Sequence, residues 1–447
     1  MILQSSRPNY DFWDVFIYER AGNVLLDPTG TVIALTLVLV IGIGVANSRL
    51  PRSLKHLVYI ALAFRVIGAL SRYVVLFSIY RGSGDARHYY RRGVEYADHI
   101  WRLDFAPIFD QATWWGRKWH GTQFVYFPSG IVHTFIGSSM PGGFIVFSLL
   151  SFAGLVGFVV AFSRAYPDVP VTRYARWVWL FPALWYWPSS IGKEAIILFG
   201  LGMAVMAYAG KGGRINWLQL VIGLFFVYAI RPEMAAVVIL SMIIAHWLSL
   251  LRGRWTVGTA VQAAILIGGG LVGIYLAMQK TGMVGDDGSV HGYLEGNQAR
   301  DVGGGSELDA APVGITGIPL ALINILMRPF PWEARSFMMA ITAVEILAFW
   351  VIVWIKRKNV LRSLRHWRSD RLLRVAIPFI LIYSITLGMV MGNMAIIARQ
   401  RIFLFPFLFL LAEAVPRAAR RRVPARHSPQ PGYVSTAPPV ASPSVRL

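Results

Sequence analysis

Apolar runs of about 17–24 residues recur from residue 31 to residue 415, separated mostly by short charged turns. At 1.5 Å per residue, a helical run of this length matches the hydrocarbon core of a bilayer, about 30 Å thick. Backbone in lipid must satisfy its own hydrogen bonds, so only helices and closed barrels cross it. Barrel strands are about 9–11 residues long and alternate in polarity. The run length therefore excludes a barrel and predicts an all-α polytopic membrane protein. Eleven transmembrane spans are expected, at about 31–48, 56–80, 142–163, 174–188, 193–210, 215–230, 234–250, 256–277, 334–355, 375–393 and 399–415. The chain is 15% charged, against about 25% for soluble domains. The first 30 residues lack a basic start followed by an apolar core, so no signal peptide is expected. The absence of cysteine rules out disulfides and thiolate metal sites.

The formal charge of +21 would suit a nucleic-acid partner, but its distribution argues otherwise. On the eleven-span division, with charges at the span ends counted with the adjoining loop, alternate loops hold about 24 Lys/Arg against Asp168 and Asp370 alone. On the same count, the opposite loops hold about 17 Lys/Arg against about 18 Asp/Glu. The positive-inside rule makes the first set cytoplasmic, with the N-terminus outside and the C-terminus inside. The charge then reports topology and contact with anionic membrane lipids, and no nucleic-acid partner is expected.

Three parts are expected: an outer N-terminal segment 1–30, a transmembrane domain 31–415 and a basic, Pro/Ser-rich disordered cytoplasmic tail 416–447. Two outer loops are long. Residues 81–141 are aromatic and predict helices lying at the membrane surface. In 278–333, a Gly/Asp-rich mobile stretch precedes "GITGIPLALINILMRPFPWEA", which suits an interfacial or re-entrant helix. No soluble domain and no internal repeat is visible.

The stretch "FPALWYWPSSIGKEAIILFGLG" places charge between two apolar runs with almost no loop. In the expected topology Pro188 ends one helix, Ser189 or Ser190 caps the next, and Glu194 occupies its first turn at the positive end of the helix dipole. Similar turns follow at Arg231 and Glu233, at Arg328, Glu333 and Arg335, and at Asn393, Arg399 and Arg401. All fall on the outer side and could line one cavity.

Two constellations could carry chemistry. In "GSGDARHYYRRG", Asp85 follows a Gly-Ser-Gly turn and precedes His88, Tyr89 and Tyr90. It could act as general base toward an acceptor hydroxyl, with aromatic rings stacking on a sugar; equally it could cap the helix beginning there. The cations Lys193, Arg231, Arg328, Arg399 and Arg401 could bind a lipid phosphate or pyrophosphate, or anchor helix ends and pair with Glu194, Glu233 and Glu333. Arg65, Arg72, Glu345 and Glu413 lie within spans, where charge marks function or buried pairing; no role is assigned to them. Asp85 with His88, or Asp286-Asp287 with His291, could offer metal ligands but lack a specific spacing. Gly303-Gly304-Gly305 does not join a strand to a helix, so it is not a phosphate cradle.

"GTQFVYFPSGIVHTFIG", "WPSSIGKEA", "IRPEM", "RPFPWEA" and "ARQRIFLFPFLF", together with Asp85 just past a helix end, resemble the GT-C superfamily over about residues 56–415. These are polytopic glycosyltransferases that use polyprenyl-phosphate-linked sugars. The extra span at 31–48 departs from the family pattern, as does the lack of a clear acidic partner for Asp85; Glu95 and Asp98 are the next candidates. The resemblance implies inverting sugar transfer in the bacterial cytoplasmic membrane, on its outer face, to a cell-envelope glycan, lipid or protein acceptor. Asp85 would be the base. Lys193, Arg231, Arg328, Arg399 and Arg401 would hold the donor phosphate. His88, Tyr89, Glu194 and Glu333 would contact substrate or orient the cations. No resident metal is assigned, although a divalent cation is compatible. A polymerase or ligase of lipid-linked oligosaccharides, or a lipid or glycan transporter, are the alternatives.

Overall fold

The computed structural model describes residues 27–106, 121–251, 257–281 and 311–415. Within these it is all-helical, with seventeen α-helices. Seven are long and apolar enough to cross a membrane, or eight if one bent pair is counted. The seven are α1 (Pro28–Asn47), α2 (Arg52–Ser78), α5 (Met140–Ala165), α10 (Pro232–Leu250), α11 (Val257–Thr281), α13 (Phe337–Ile355) and α15 (Arg371–Val390). The bent pair is α16 (Met394–Arg401) and α17 (Phe405–Glu413), which meet at 51°. Between these lie α3 (Asp85–Trp101), α4 (Thr122–Ile136), α6 (Val171–Leu180), α7 (Pro182–Tyr186), α8 (Lys193–Tyr208), α9 (Trp217–Ile230), α12 (Ile318–Leu326) and α14 (Arg357–His366).

Seven of the eleven expected runs, or eight with the bent pair, thus form single helices that meet this test of length and composition. The run 174–188 breaks at Phe181-Pro182 into helices of 10 and 5 residues, because proline cannot donate into the preceding turn. The runs at 193–210 and 215–230 give helices of 16 and 14 residues, below the about 20 residues of a typical spanning helix. The segment 399–415 is the bent pair. The 81–141 loop holds the amphipathic α3 and, from residue 122, α4, which pack together with Ser129 Oγ donating to the Tyr89 carbonyl at 3.1 Å. The segments 1–26 and 416–447, and with them Asp286, Asp287, His291 and Gly303–Gly305, lie outside the described residues.

α5 and α8 form the centre of the bundle, and their contact face is built from glycine. A Cβ on Gly202 would sit 1.8 Å from the Gly154 carbonyl oxygen, and one on Gly154 would sit 2.2 Å from that of Leu198. The same close approach joins α8 to α9, where a Cβ on Gly200 would lie 2.6 Å from the Gly223 oxygen. Small residues allow this because helices in lipid associate by packing and hydrogen bonding, with no water to expel. Around the seam, Phe407 meets Phe158 edge-on at 5.2 Å and Phe379 at a tilt at 4.5 Å between ring centroids, within the range aromatic pairs favour.

Charged residues inside the bundle are engaged by polar groups. At the α6–α7 break, the Ala183 N–H donates to the Glu345 carboxylate of α13. Fully buried Arg65 of α2 donates through Nη1 to the Leu184 carbonyl at 2.9 Å and to Ser151 Oγ at 3.1 Å, and its guanidinium lies 5.2 Å from the Phe152 ring centre. Glu413 accepts from Trp177 Nε1 at 2.9 Å and pairs with Lys356 at 2.7 Å.

Gly202→Ala should be costly. Its new methyl has no room between two backbones, and overpacking of this kind costs about 1–3 kcal/mol. Gly268→Ala on α11, where a Cβ meets nothing within 4 Å, is the control. Thermal unfolding in detergent, followed by tryptophan fluorescence, should show a clear loss of Tm for the first and none for the second; equal Tm values would refute the seam.

Candidate functional site

At the end of the bundle where α2 finishes and α8 and α10 begin, a cavity of about 250 Å³ is lined by Arg72, Tyr80, Asp85, Tyr89, Trp187, Glu194 and Arg399, among others. The local sequence explains each position. Gly82, at φ +72°, turns the chain after α2, and Gly84 is the N-cap of α3. Asp85 is therefore the first helical residue. Its side chain makes no cap, and no hydrogen bond or ion pair engages it among the described residues. The expected alternative of Asp85 as a helix cap is corrected accordingly.

The cap expected of Ser189 or Ser190 is also absent. Gly192 is the N-cap of α8. Ser189 is instead drawn inward, its hydroxyl donating to the Trp185 carbonyl and lying 2.7 Å from Ser148 Oγ. Glu194 does occupy the first turn of α8, as expected. It is buried, and Oε1 accepts from Arg399 Nη2 at 2.7 Å and Nε at 3.1 Å. A guanidinium held by two donors to one carboxylate oxygen has a fixed plane, and Arg399 keeps 33% of its side-chain exposure on the cavity side of that pair.

Lys193 lies within electrostatic reach of Asp85, Glu194, Arg231 and Arg399. Arg231 is 3.3 Å from Glu233. Five of the expected residues, Asp85, Lys193, Glu194, Arg231 and Arg399, are thus brought together, with Lys193 among them. Tyr89 joins them from α3. Burial, and next the charge of Asp85, push its phenol well above the usual range, so it remains a proton donor at physiological pH.

Other expected residues are placed elsewhere. Arg401 is 2% exposed, and its guanidinium donates to the backbone carbonyls of Ile325, at 2.6 Å from Nε, and Arg328. Arg328 is occupied by Glu333 (Nε to Oε1, 2.7 Å) and by Asn324 (Nη1 to Oδ1, 3.2 Å), while Glu333 Oε2 also accepts the Phe330 N–H at 2.8 Å. These three form a separate cluster that ties α12 to α16. His88 Nε2 meets the Tyr126 hydroxyl at 2.7 Å and does not line the cavity. Glu95 and Asp98 pair with Arg92 and Arg102 on the outer face of α3. Among the described residues no group of three His, Asp or Glu side chains is placed to hold a metal ion.

Arg72 is the site residue to which the sequence reading gave no role. Its guanidinium lies 5.3 Å from the Tyr186 ring centre and 5.2 Å from that of Trp187, and it reaches Ser190 Oγ at 3.5 Å. The signal was its spacing. Arg65 and Arg72 are seven apart, two turns on one face of α2, and a face with two arginines in a span must look inward.

The two clusters respond differently to substitution. Arg401→Leu leaves two backbone carbonyls without donors and should cost about 1–3 kcal/mol of stability, with ligand binding at the cavity retained. Glu194→Gln removes the buried anion that fixes Arg399; since Arg399 stays partly solvated, the stability loss should be nearer 2 than 5 kcal/mol, with ligand binding weakened. Paired Tm and binding measurements check both; the reverse pattern would reassign the clusters. The chain matches no family model, no curated protein and no solved structure.

Proposed function

We propose that this protein is a membrane glycosyltransferase of the GT-C kind. It transfers a sugar from a polyprenyl-phosphate donor to a cell-envelope glycan, lipid or protein acceptor at the outer face of the bacterial cytoplasmic membrane. One observation carries the reading: the carboxylate of Asp85 and the fixed guanidinium of Arg399 open on the same cavity. A base and a phosphate-binding cation are what inverting transfer from a phosphate leaving group requires.

The acceptor oxygen attacks the anomeric carbon and its proton passes to Asp85. The bond from that carbon to the phosphate oxygen breaks, and its electron pair stays on the leaving polyprenyl phosphate. Arg399 and Arg72, with Lys193 and Arg231 behind them, stabilise that charge; fixed groups of this type are worth about 2.7–4 kcal/mol each. The cavity of about 250 Å³ suits a sugar phosphate, while the prenyl chain would lie along the bundle in lipid. The rings of Trp187, Tyr80 and Tyr89 give the sugar flat surfaces. Arg328, Arg401 and Glu333, which do not line this cavity, leave the donor set and Arg72, which does, enters it.

Asp85→Asn keeps the shape but cannot take a proton, so turnover should fall about 10²–10⁴-fold with donor affinity retained. Arg399→Ala should lower both, because the cation contacts phosphate in ground and transition states. Purified protein given a pool of polyprenyl-phosphate sugars, with donor loss followed by mass spectrometry, supplies the assay. Near-wild-type turnover of Asp85→Asn ends the base assignment. A wild-type protein that consumes no donor but moves lipid-linked sugar across liposomes is a transporter.

The orientation is tested separately. In the cysteine-free background, Ser83→Cys should react with an impermeant thiol reagent from outside the cell, and Arg365→Cys only after the membrane is opened. The opposite pattern would put the cavity on the cytoplasmic face.

A further inference from the structure

At the other end of the same two central helices lies a second, larger cavity of about 660 Å³. Its walls include Arg164 and Ala165 at the end of α5, Ala209 and Gly210 after α8, and Arg371 and Arg374 at the start of α15. Phe144, which lines the first cavity, and Arg164 are twenty residues apart on α5. At 1.5 Å per residue this is about 30 Å, one hydrocarbon thickness. The two cavities therefore lie near opposite surfaces of the bilayer.

The lining of the second cavity is net positive. Asp370 is the one carboxylate in that lining, against three guanidiniums; its Oδ1 accepts from the Leu372 and Leu373 N–H groups at 3.1 Å and from the Tyr166 hydroxyl at 2.7 Å, which fixes it as the cap of α15. Among the described residues no carboxylate forms an ion pair with Arg164 or Arg371. Arg164 is held by the Met206 carbonyl at 3.0 Å. Arg371 donates to the Gly213 carbonyl and lies 4.8 Å from the Tyr208 ring centre. Each contact fixes a guanidinium without neutralising it. Arg371 and Arg374 also sit in the first turn of α15, at the positive end of its dipole, where a cation is disfavoured and an anion favoured.

The remaining wall is a bare turn. Gly212 and Gly213 adopt φ +62° and +79°, a conformation costly for any residue with a side chain. A Cβ at Gly213 would come within 3.3 Å of Arg371 Nη1. Basic residues that merely mark a cytoplasmic surface extend into water. Here Arg371 is folded back onto a ring and a carbonyl beside an open volume.

We propose that this cavity binds a phosphate group, either the headgroup of an anionic phospholipid or free phosphate, at the membrane surface opposite the candidate active site. The inference does not depend on the glycosyltransferase reading.

The test uses the full chain in neutral detergent, with Tm read by tryptophan fluorescence. The additives are short-chain phosphatidylglycerol, short-chain phosphatidylcholine and inorganic phosphate. A ligand that binds the folded state alone raises Tm with concentration. Phosphatidylglycerol should raise it by a few degrees and phosphatidylcholine should not. A shift from inorganic phosphate as well identifies the free anion as a sufficient ligand, and a shift from the lipid alone identifies the headgroup. Arg164→Gln/Arg371→Gln should lose most of the shift. Arg362→Gln/Arg365→Gln, exposed on α14, and Asp85→Asn should keep it.

If the first double variant does not fold, Arg371→Lys takes its place: it keeps a cation, loses the planar fork and should bind about tenfold more weakly. No shift from either phosphate compound, an undiminished shift in the Arg164/Arg371 variants, or loss only in the α14 variant would overturn the proposal.

Discussion

A broken helix inside an apolar bundle exposes backbone groups that no water can reach, and the rest of this architecture depends on how those groups are satisfied. Between Leu180 and Lys193 the chain leaves regular helix except for the five residues of α7. In lipid such a break is tolerated only where protein supplies the missing partners. Arg65 takes the Leu184 carbonyl, Glu345 takes the Ala183 N–H, and Ser189 takes the Trp185 carbonyl. Three intramembrane polar residues thus support a detour of the main chain. The detour brings Trp187, Ser190 and Gly192 to the cavity wall and starts α8 with Glu194 facing inward.

Glu194 then organises the cavity. It is buried, and its partner Arg399 is 205 residues away in sequence, so the pair joins the centre of the bundle to the short helix near its end. A carboxylate alone in that position would be costly, and so would an arginine. Together they leave a guanidinium of fixed orientation beside the unengaged Asp85. Neither residue indicates this from its own neighbourhood.

How much was legible follows from that difference between local and distant causes. The spans that became α1, α2, α5, α10, α11, α13 and α15 are long, uniformly apolar and bounded by charge, and they stand within a few residues of their expected limits. The run 174–188 was equally apolar, but what breaks it is Pro182, and what makes the break affordable lies on α2 and α13. The cations illustrate the same limit at the site. Arg399 and Arg401 are two apart, about 200° around a helix of 3.6 residues per turn. One faces the cavity and the other the carbonyls of residues 325 and 328. Sequence places both at one end of the bundle and gives no reason to separate them, because the carbonyls of residues 325 and 328 that claim Arg401 come from a distant part of the chain.

The glycine seam of α5, α8 and α9 has a mechanical consequence. With backbones in direct contact there is no side chain to tilt or repack, so these helices move as one strut. The wall of the first cavity that carries Glu194 is a fixed jaw. The facing jaw is α16, eight residues long and bounded by non-helical residues on both sides. Arg401 ties it to the carbonyls of residues 325 and 328, and Gln400 ties it to the Tyr383 hydroxyl at 3.1 Å. Any widening of the cavity therefore falls on that short helix, and the first contact it stretches is the one between Arg399 and Glu194. An anion arriving at Arg399 competes for the latch that holds the jaws together.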